Sequence, residues 1–220
     1  MVQHCTGIVC VALAPDLCDN LALPPMVEQN EDYMGTNFCV TCDAKGTTTG
    51  VSAADRCATI RALGNPGTTA GDLVRPGHIF PLRYHPGGVL ARAGHTEASV
   101  DLCRLAGLAP AGCICELVAP GDAGEMARRD DMTAFAKEHA LPCVSIVQMQ
   151  EYIRVRAPPF PQTLQQGLLG LLCGIGCFPI SPSLARGRPC ATAPAALSPY
   201  RPRSRPRPTF RQRPPRRRAG

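Results

Sequence analysis

Apolar and polar residues alternate along residues 1–156 in a way that predicts strands followed by helices. Three mainly apolar segments have the length of strands, and they span residues 7–13, 38–43 and 112–118. Ser52-Ala-Ala-Asp55 has the pattern of a capping box and predicts the start of a helix. Apolar spacing predicts a second helix over Thr96–Ala106, with Gly107 suited to the position after its end. Strands interleaved with helices indicate an α/β fold, of mixed α+β type, in a single domain.

Less regular patterns complete the expected order of elements. We predict a loop over residues 65–76, followed by a short strand over 78–82. A helix over 131–139, a second short strand over 143–146 and a last helical turn or two over 148–154 complete the series. All of the predicted elements therefore precede residue 157.

Residues 157–220 differ sharply in composition from the rest of the chain. They contain 11 of the 23 basic residues, 13 of the 23 prolines and no acidic residue. The remaining 12 Lys and Arg stand against 17 Asp and Glu, so residues 1–156 carry a charge of about −5. After Tyr200 the chain is nearly all Arg, Pro, Ser and Gln and can bury little apolar surface. We therefore predict a domain over 1–156 and a disordered, low-complexity tail over 157–220. The alternative is an arginine-rich arm that binds nucleic acid, which is disfavoured because only Tyr200 and Phe210 could stack on bases.

Thirteen cysteines are compatible with disulfides, a metal site or a reduced core. We favour free thiols that act as small core residues, because their number is odd and the chain opens on no secretory signal. A zinc site is the alternative, with Cys39, Cys42, Cys113 and Cys115 as ligands. A spacing of three along a strand disfavours it, because Cys39 and Cys42 would point to opposite faces. The apolar stretch 168–180 is too short to span a bilayer, so we expect no membrane association.

The densest group of polar residues runs from Arg75 to Thr96. His95 and Thr96 stand at the start of the second predicted helix, where backbone N–H groups and the helix dipole favour an anion. Gly94 allows the backbone to approach a ligand closely, and Arg92 adds a bidentate phosphate donor. This arrangement indicates a sugar-phosphate site, although a histidine in a turn is more often structural than catalytic.

Glu116 is a second candidate for chemistry, because it follows Cys113-Ile-Cys115 within an apolar strand. A buried carboxylate must be paired, be bound to a metal or have a shifted pKa. The alternative is a glutamate that emerges into solvent at the end of its strand.

Several motifs together resemble the 3,4-dihydroxy-2-butanone 4-phosphate synthase family. They occur in the order and with the spacing of that family, from about Val2 to Tyr152. The matching segments are Gly7-Ile-Val-Cys10, Leu23-Pro-Pro-Met-Val27, Thr48-Thr-Gly-Val-Ser-Ala-Ala-Asp-Arg56, Arg75-Pro-Gly-His-Ile-Phe-Pro-Leu-Arg83, Arg92-Ala-Gly-His-Thr-Glu97, Pro110-Ala-Gly-Cys-Ile-Cys-Glu116 and Gly124-Glu-Met-Ala-Arg128.

The resemblance implies a lyase of riboflavin biosynthesis that depends on Mg²⁺ or Mn²⁺. Such an enzyme converts D-ribulose 5-phosphate to L-3,4-dihydroxy-2-butanone 4-phosphate and formate. The matching positions imply that His78 and Glu116 are catalytic and that His95 binds the metal. The implied substrate-binding residues are Arg92, Ala93, Gly94, His95, Thr96 and Glu116. These types suit the reaction, because a carboxylate and an imidazole can move protons and a divalent ion stabilises charge that develops on oxygen.

The family also implies a homodimer, located in the cytoplasm of a bacterium or in the plastid of a plant or alga. Thr49, Ser52 and Asp55 are further candidates for the same pocket. The family's acidic loop, of the type Asp-Glu-x-x-Arg-Glu-x-x-Gly-Asp, has no counterpart in this sequence. We therefore expect a domain that is incomplete at its N-terminus, and an inactive remnant of the enzyme is the alternative to an active lyase.

Overall fold

The computed structural model describes Met1 and residues 4–121, 124–155 and 178–179. A five-stranded mixed sheet organises these residues, in the order β2-β3-β1-β4-β5. Its strands are β1 (Cys10–Leu13), β2 (Cys42–Ala44), β3 (Leu73–Arg83), β4 (Ala111–Ile114) and β5 (Phe178–Pro179). β1 runs parallel to β3 and antiparallel to β4, while β2–β3 and β4–β5 are antiparallel pairs. The predicted combination of strands and helices in one mixed α/β domain is confirmed.

Helices cover both faces of this sheet. In the described part of the chain they are α1 (Pro15–Asn20), α2 (Ala53–Leu63), α3 (Gly88–Ala91), α4 (His95–Leu105), α5 (Arg129–Glu138) and α6 (Ile146–Val155). A short 3₁₀ helix, Ala70–Asp72, leads directly into β3. Among the described residues no helix is long and apolar enough to cross a bilayer.

The two faces of β1 belong to different parts of the core. Val9, Val11 and Leu13 pack on one face with Leu63 of α2. On the other face, Cys10 packs with Leu82 and Ile114, and Ala12 packs with Val100 of α4. The continuous apolar sequence of this strand therefore reflects burial on both faces.

Gly112 lets α4 lie close to the sheet. This residue pairs with Ala12 across β4 and β1. A Cβ atom at Gly112 would stand 2.8 Å from the Cβ of Ser99 in α4. Because real Cβ contacts are longer than this, only glycine allows the observed distance between helix and strand. The position of α4 fixes in turn where its first residue, His95, stands.

Most of the predicted elements are confirmed, and the two predicted helices are among them. Ser52 caps α2 by accepting a hydrogen bond from the Asp55 N–H at 3.0 Å. Gly107 follows α4 with φ of +67°, as its predicted place after the helix requires. The apolar runs are longer than the strands they contain, because Phe38, Cys39, Leu117 and Val118 form isolated bridges outside the regular ladders.

Two predictions of local structure were wrong. The predicted loop 65–76 ends early, because residues from Leu73 onwards belong to β3 and pair with β2. The predicted strand 143–146 is the entry to α6, where Ser145 Oγ accepts the Gln148 N–H at 3.2 Å and caps the helix.

The buried cysteines confirm their predicted role as core residues. Those that pack inside the described part of the protein, as thiols outside any disulfide, are Cys10, Cys18, Cys39, Cys42, Cys103, Cys113 and Cys115. Burial raises the pKa of Cys10 and of Cys42 to about 12, so both stay protonated at neutral pH. The tail predicted over 157–220 lies outside the described residues, apart from the two-residue strand β5.

Candidate active site

One face of the sheet carries both of the predicted catalytic residues. Along β3, Ile79 points into the main core with Cys42, so His78 and Phe80 point to the opposite face. Along the strand that begins with β4, Cys113 and Cys115 belong to the main core, whereas Ile114 packs with Cys10 on the other face. Glu116 continues the alternation on the side of Ile114. His78 and Glu116 therefore share the face on which α4 lies.

His95 opens α4 on this same face. Gly94 is the N-cap residue and provides no side chain, so the first backbone N–H groups of the helix have no side-chain partner. The ring of His95 is exposed, yet the protein around it desolvates it enough to lower its pKa. The charge of Glu116 opposes this shift, which means that the carboxylate lies within electrostatic range of the imidazole. The fold thus brings together His95 and Glu116, two residues that are 21 positions apart in the sequence.

The other residues of the predicted phosphate loop have contrasting environments. Thr96 is buried and its carbonyl accepts the Ser99 hydroxyl at 2.9 Å, whereas Ala93 is exposed. Arg92 donates from Nη1 to Glu97 Oε2 at 2.6 Å and from Nη2 to the Met34 carbonyl at 2.8 Å. A guanidinium has five N–H groups, so these bonds fix the orientation of Arg92 while leaving donors free.

Gly94 is required for the contact between Arg92 and Glu97. A Cβ atom at Gly94 would overlap both Nη1 of Arg92 and Oε2 of Glu97. Glu97 is only 1 % exposed, and its second oxygen accepts the His85 N–H at 3.0 Å. This buried carboxylate therefore ties the phosphate loop to the turn before α3.

Glu116 follows β4 between two buried residues, Cys115 and Leu117, and its own side chain is exposed. Its Oε2 accepts the Thr6 hydroxyl at 3.2 Å, and its carbonyl accepts the Thr6 N–H at 3.0 Å. The alternative of a glutamate that reaches solvent therefore holds, because Glu116 points away from the side on which Cys115 and Leu117 are buried. An exposed carboxylate within electrostatic range of an exposed imidazole can contact a small substrate.

His78 forms hydrogen bonds with Asp43, a residue that was not among the predicted site residues. Asp43 Oδ2 lies 2.7 Å from His78 Nδ1, and Asp43 Oδ1 accepts the His78 N–H at 2.9 Å. Asp43 ends an apolar run, as Glu116 does, so a charged residue at the end of a buried strand was the available signal. Asp55, a further candidate for the pocket, accepts the Thr48 hydroxyl at 2.6 Å and the Thr48 N–H at 3.1 Å, and these bonds lower its pKa.

Metal ligands are sparse in the described part of the chain. No group of three or more His, Cys, Asp or Glu side chains there could hold a metal ion. Cys39, Cys42, Cys113 and Cys115 all pack as thiols in the main core, but among the described residues they form no group that could hold a metal ion, so the alternative of a four-thiolate zinc site was wrong. For magnesium, the described residues offer His95 and the nearby Glu116 but not a complete set of ligands.

The fold, with His95 and Glu116 on one face of the sheet, defines a small α/β domain with an enzyme-like site. The family model for 3,4-dihydroxy-2-butanone 4-phosphate synthase matches residues 1–152. The chain therefore belongs to the 3,4-dihydroxy-2-butanone 4-phosphate synthase family, whose members are lyases.

Curated relatives agree with this assignment. The riboflavin biosynthesis protein RibBA of Nocardia farcinica is 51 % identical over 150 residues, which are 68 % of this chain and 36 % of that protein. RibBA of Salinispora tropica is 53 % identical over 155 residues, or 70 % of this chain and 38 % of the relative. The chain thus spans little more than a third of the length of these relatives.

Solved structures agree with the fold. A 3,4-dihydroxy-2-butanone 4-phosphate synthase in complex with two magnesium ions is 42 % identical, with a TM-score of 0.67 over 70 % of this chain and 77 % of that one. The synthase of Candida albicans is 48 % identical, with a TM-score of 0.64 over 69 % of this chain and 74 % of its own.

Proposed function

We propose that this chain converts D-ribulose 5-phosphate to L-3,4-dihydroxy-2-butanone 4-phosphate and formate. Membership in the synthase family supports the reaction, and the names of the RibBA relatives support a role in riboflavin biosynthesis. The observation that carries the proposal is the convergence of His95 and Glu116 beside one sheet face that also carries His78. A carboxylate and two imidazoles on one surface are suited to moving protons on a small sugar phosphate.

The residues take distinct roles in this proposal. His78 and Glu116 are the catalytic residues, which remove and return protons next to the ketone of the substrate. The segment from Arg92 to Thr96 binds the sugar phosphate, because the free N–H groups at the start of α4 and the guanidinium favour an anion. Glu97 and Gly94 keep Arg92 in place for that contact.

Magnesium, or manganese in its place, is the proposed cofactor. The magnesium complex of the 42 % identical synthase supports it. Partial desolvation of His95 by the surrounding protein supports that residue as one ligand, because a lowered pKa leaves the imidazole neutral and able to bind a metal. The ion would stabilise charge that develops on the substrate's oxygens.

Formate release from D-ribulose 5-phosphate tests the function directly. The purified chain with Mg²⁺ should form formate, and Glu116→Gln should lower kcat by about 100-fold or more, because it removes a proton-transfer group without changing its size. Glu28→Gln is the matched control, since Glu28 is also an exposed glutamate and is not one of the proposed site residues. A cooperatively folded chain that forms no formate, or a Glu116→Gln variant with unchanged kcat, would contradict the proposal.

Other expectations from the resemblance stay predictions. We propose a homodimer, which light scattering during size-exclusion chromatography can test. The division into a domain over 1–156 and a tail over 157–220 can be tested by limited proteolysis, which should cleave after residue 156 first. Location in a bacterial cytoplasm or in a plastid depends on the source organism.

A further inference from the structure

We infer that Asp43 is a positioning residue for His78, and that Gly50 is the glycine that makes this position possible. The inference deepens the proposed function, on which its kinetic part rests. Its structural part concerns the protonation of one ring nitrogen and can be tested without any turnover.

A single carboxylate holds both the backbone and the ring of His78. Oδ1 of Asp43 accepts the His78 N–H at 2.9 Å, and Oδ2 lies 2.7 Å from Nδ1. A carboxylate can only accept hydrogen bonds, so Nδ1 is the donor and carries a proton. In the neutral ring Nε2 is then left as the basic nitrogen.

The exposure of the two side chains agrees with this orientation. The side chain of Asp43 is 11 % exposed and that of His78 is 47 % exposed. Since Nδ1 faces the buried carboxylate, the open part of the ring is the part that carries Nε2. The unprotonated nitrogen is thus the one available to a substrate on this face of the sheet.

A register shift between β2 and β3 explains why the side chain of Asp43 can accept a hydrogen bond from the His78 backbone. Cys42 pairs with Ile79, and a continued antiparallel ladder would place Asp43 opposite His78. The ladder instead shifts, and Asp43 pairs with Val74. The shift leaves the His78 N–H without a backbone partner, and the side chain of Asp43 accepts it instead.

Gly50 covers the contact between Asp43 and His78. Its φ is +80°, and a Cβ atom there would overlap Oδ2 of Asp43 and stand 2.6 Å from Nδ1 of His78. No other residue would fit without separating the two side chains. The turn that carries Gly50 is held in turn by Asp55, through its bonds to Thr48.

The substitution Asp43→Asn tests the hydrogen bonds to His78 without changing the size of the side chain. Asp43→Asn keeps the size of the side chain but has one acceptor oxygen where two are needed. Either the backbone N–H or Nδ1–H of His78 loses its acceptor, and an amide group that faces the ring favours the other tautomer. We expect Asp43→Asn to move the proton of neutral His78 from Nδ1 to Nε2, which nitrogen-15 spectra of the full-length chain would detect.

The kinetic result should follow the tautomer. With D-ribulose 5-phosphate and Mg²⁺, Asp43→Asn should lower kcat by about 100-fold and leave KM unchanged, because Asp43 lies outside the proposed phosphate loop. Asp19→Asn is the matched control, because Asp19 is an exposed partner of Arg83 and should leave both tautomer and kcat unchanged.

Two glycines provide a second, independent pair of variants. Gly50→Ala should disturb the His78 signals and lower kcat, whereas Gly46→Ala should do neither. The backbone strain is similar, since φ is +80° at Gly50 and +86° at Gly46, but a Cβ atom at Gly46 meets nothing within 4 Å. Equal effects of the two substitutions would overturn the role of Gly50.

The spectra distinguish this inference from the proposed function. A wild-type chain in which neutral His78 carries its proton on Nε2 would overturn the inference, whether or not formate is formed. A chain with Nδ1–H that forms no formate would contradict the function and leave the positioning of His78 supported. Asp43→Asn with a changed tautomer and unchanged kcat would overturn the kinetic role.

Discussion

The buried carboxylate of Glu97 should dominate the stability of the phosphate loop. It is 1 % exposed and has two partners, Arg92 Nη1 at 2.6 Å and the His85 N–H at 3.0 Å. Glu97→Ala removes the carboxylate, so both hydrogen bonds are lost at once and the half-buried guanidinium of Arg92 has no counter-charge. Breaking a buried ion pair from one side costs about 3–5 kcal/mol, a large fraction of the 5–15 kcal/mol that is typical of unfolding.

The conservative change at the same position should cost less. Glu97→Gln keeps the volume, and its carbonyl oxygen can still accept the His85 N–H, but its amide group then faces the donors of Arg92. We expect a loss of about 1.5–3 kcal/mol, the usual contribution of a hydrogen bond to a charged group. Kinetically, a misplaced Arg92 should raise KM for the sugar phosphate.

Urea denaturation followed by circular dichroism measures both losses. Glu28→Gln is the control, because this exposed residue should change the free energy of unfolding by no more than about 0.5 kcal/mol. If Glu97→Ala unfolds with the same free energy as Glu28→Gln, the contact between Arg92 and Glu97 contributes nothing and the reasoning is wrong.

Three further predictions concern the packing of α4 on the sheet, the pKa of His95 and the cap of α2. Gly112→Ala should destabilise the protein by about 1–3 kcal/mol, because its Cβ would stand 2.8 Å from that of Ser99, while Gly67→Ala, whose Cβ would meet nothing closer than 3.5 Å, should be neutral in the same urea assay. Proton NMR should give His95 a pKa below 6.5, and Glu116→Gln should lower that pKa further, because it removes a negative charge that favours the protonated ring; an increase would contradict the geometry. Ser52→Ala should lower the free energy of unfolding by about 1 kcal/mol through loss of the α2 cap, and no change would show that the cap is dispensable.

The pH dependence of stability has a defined sign at His95. Desolvation lowers the pKa of the folded state below that of the unfolded chain, so the unfolded chain binds the proton more tightly. The contribution of His95 is complete above about pH 6.5 and is lost as the pH falls through the lower, folded-state pKa. His95→Asn should remove this part of the acid dependence in urea denaturation at a series of pH values.

Local sequence determined the helices and the family. Ser52 caps the start of α2 and Gly107 follows the end of α4, and both effects involve only residues close by in the sequence. These two helices could therefore be predicted from local sequence. The motifs around His78, His95 and Glu116 resemble those of the synthase family, and the family model over residues 1–152 confirms that membership.

Long-range pairing decided what the sequence left open. The loop predicted over 65–76 contains the start of β3, because β2 pairs with it across about thirty positions, and no local pattern carries that information. Asp43 reaches His78 for the same reason, since the shift between β2 and β3 leaves one N–H to be satisfied by a side chain. Hydrogen bonds and charges act over a few ångströms in space, so the partners of His78, Arg92 and Glu116 became evident only once the chain had folded.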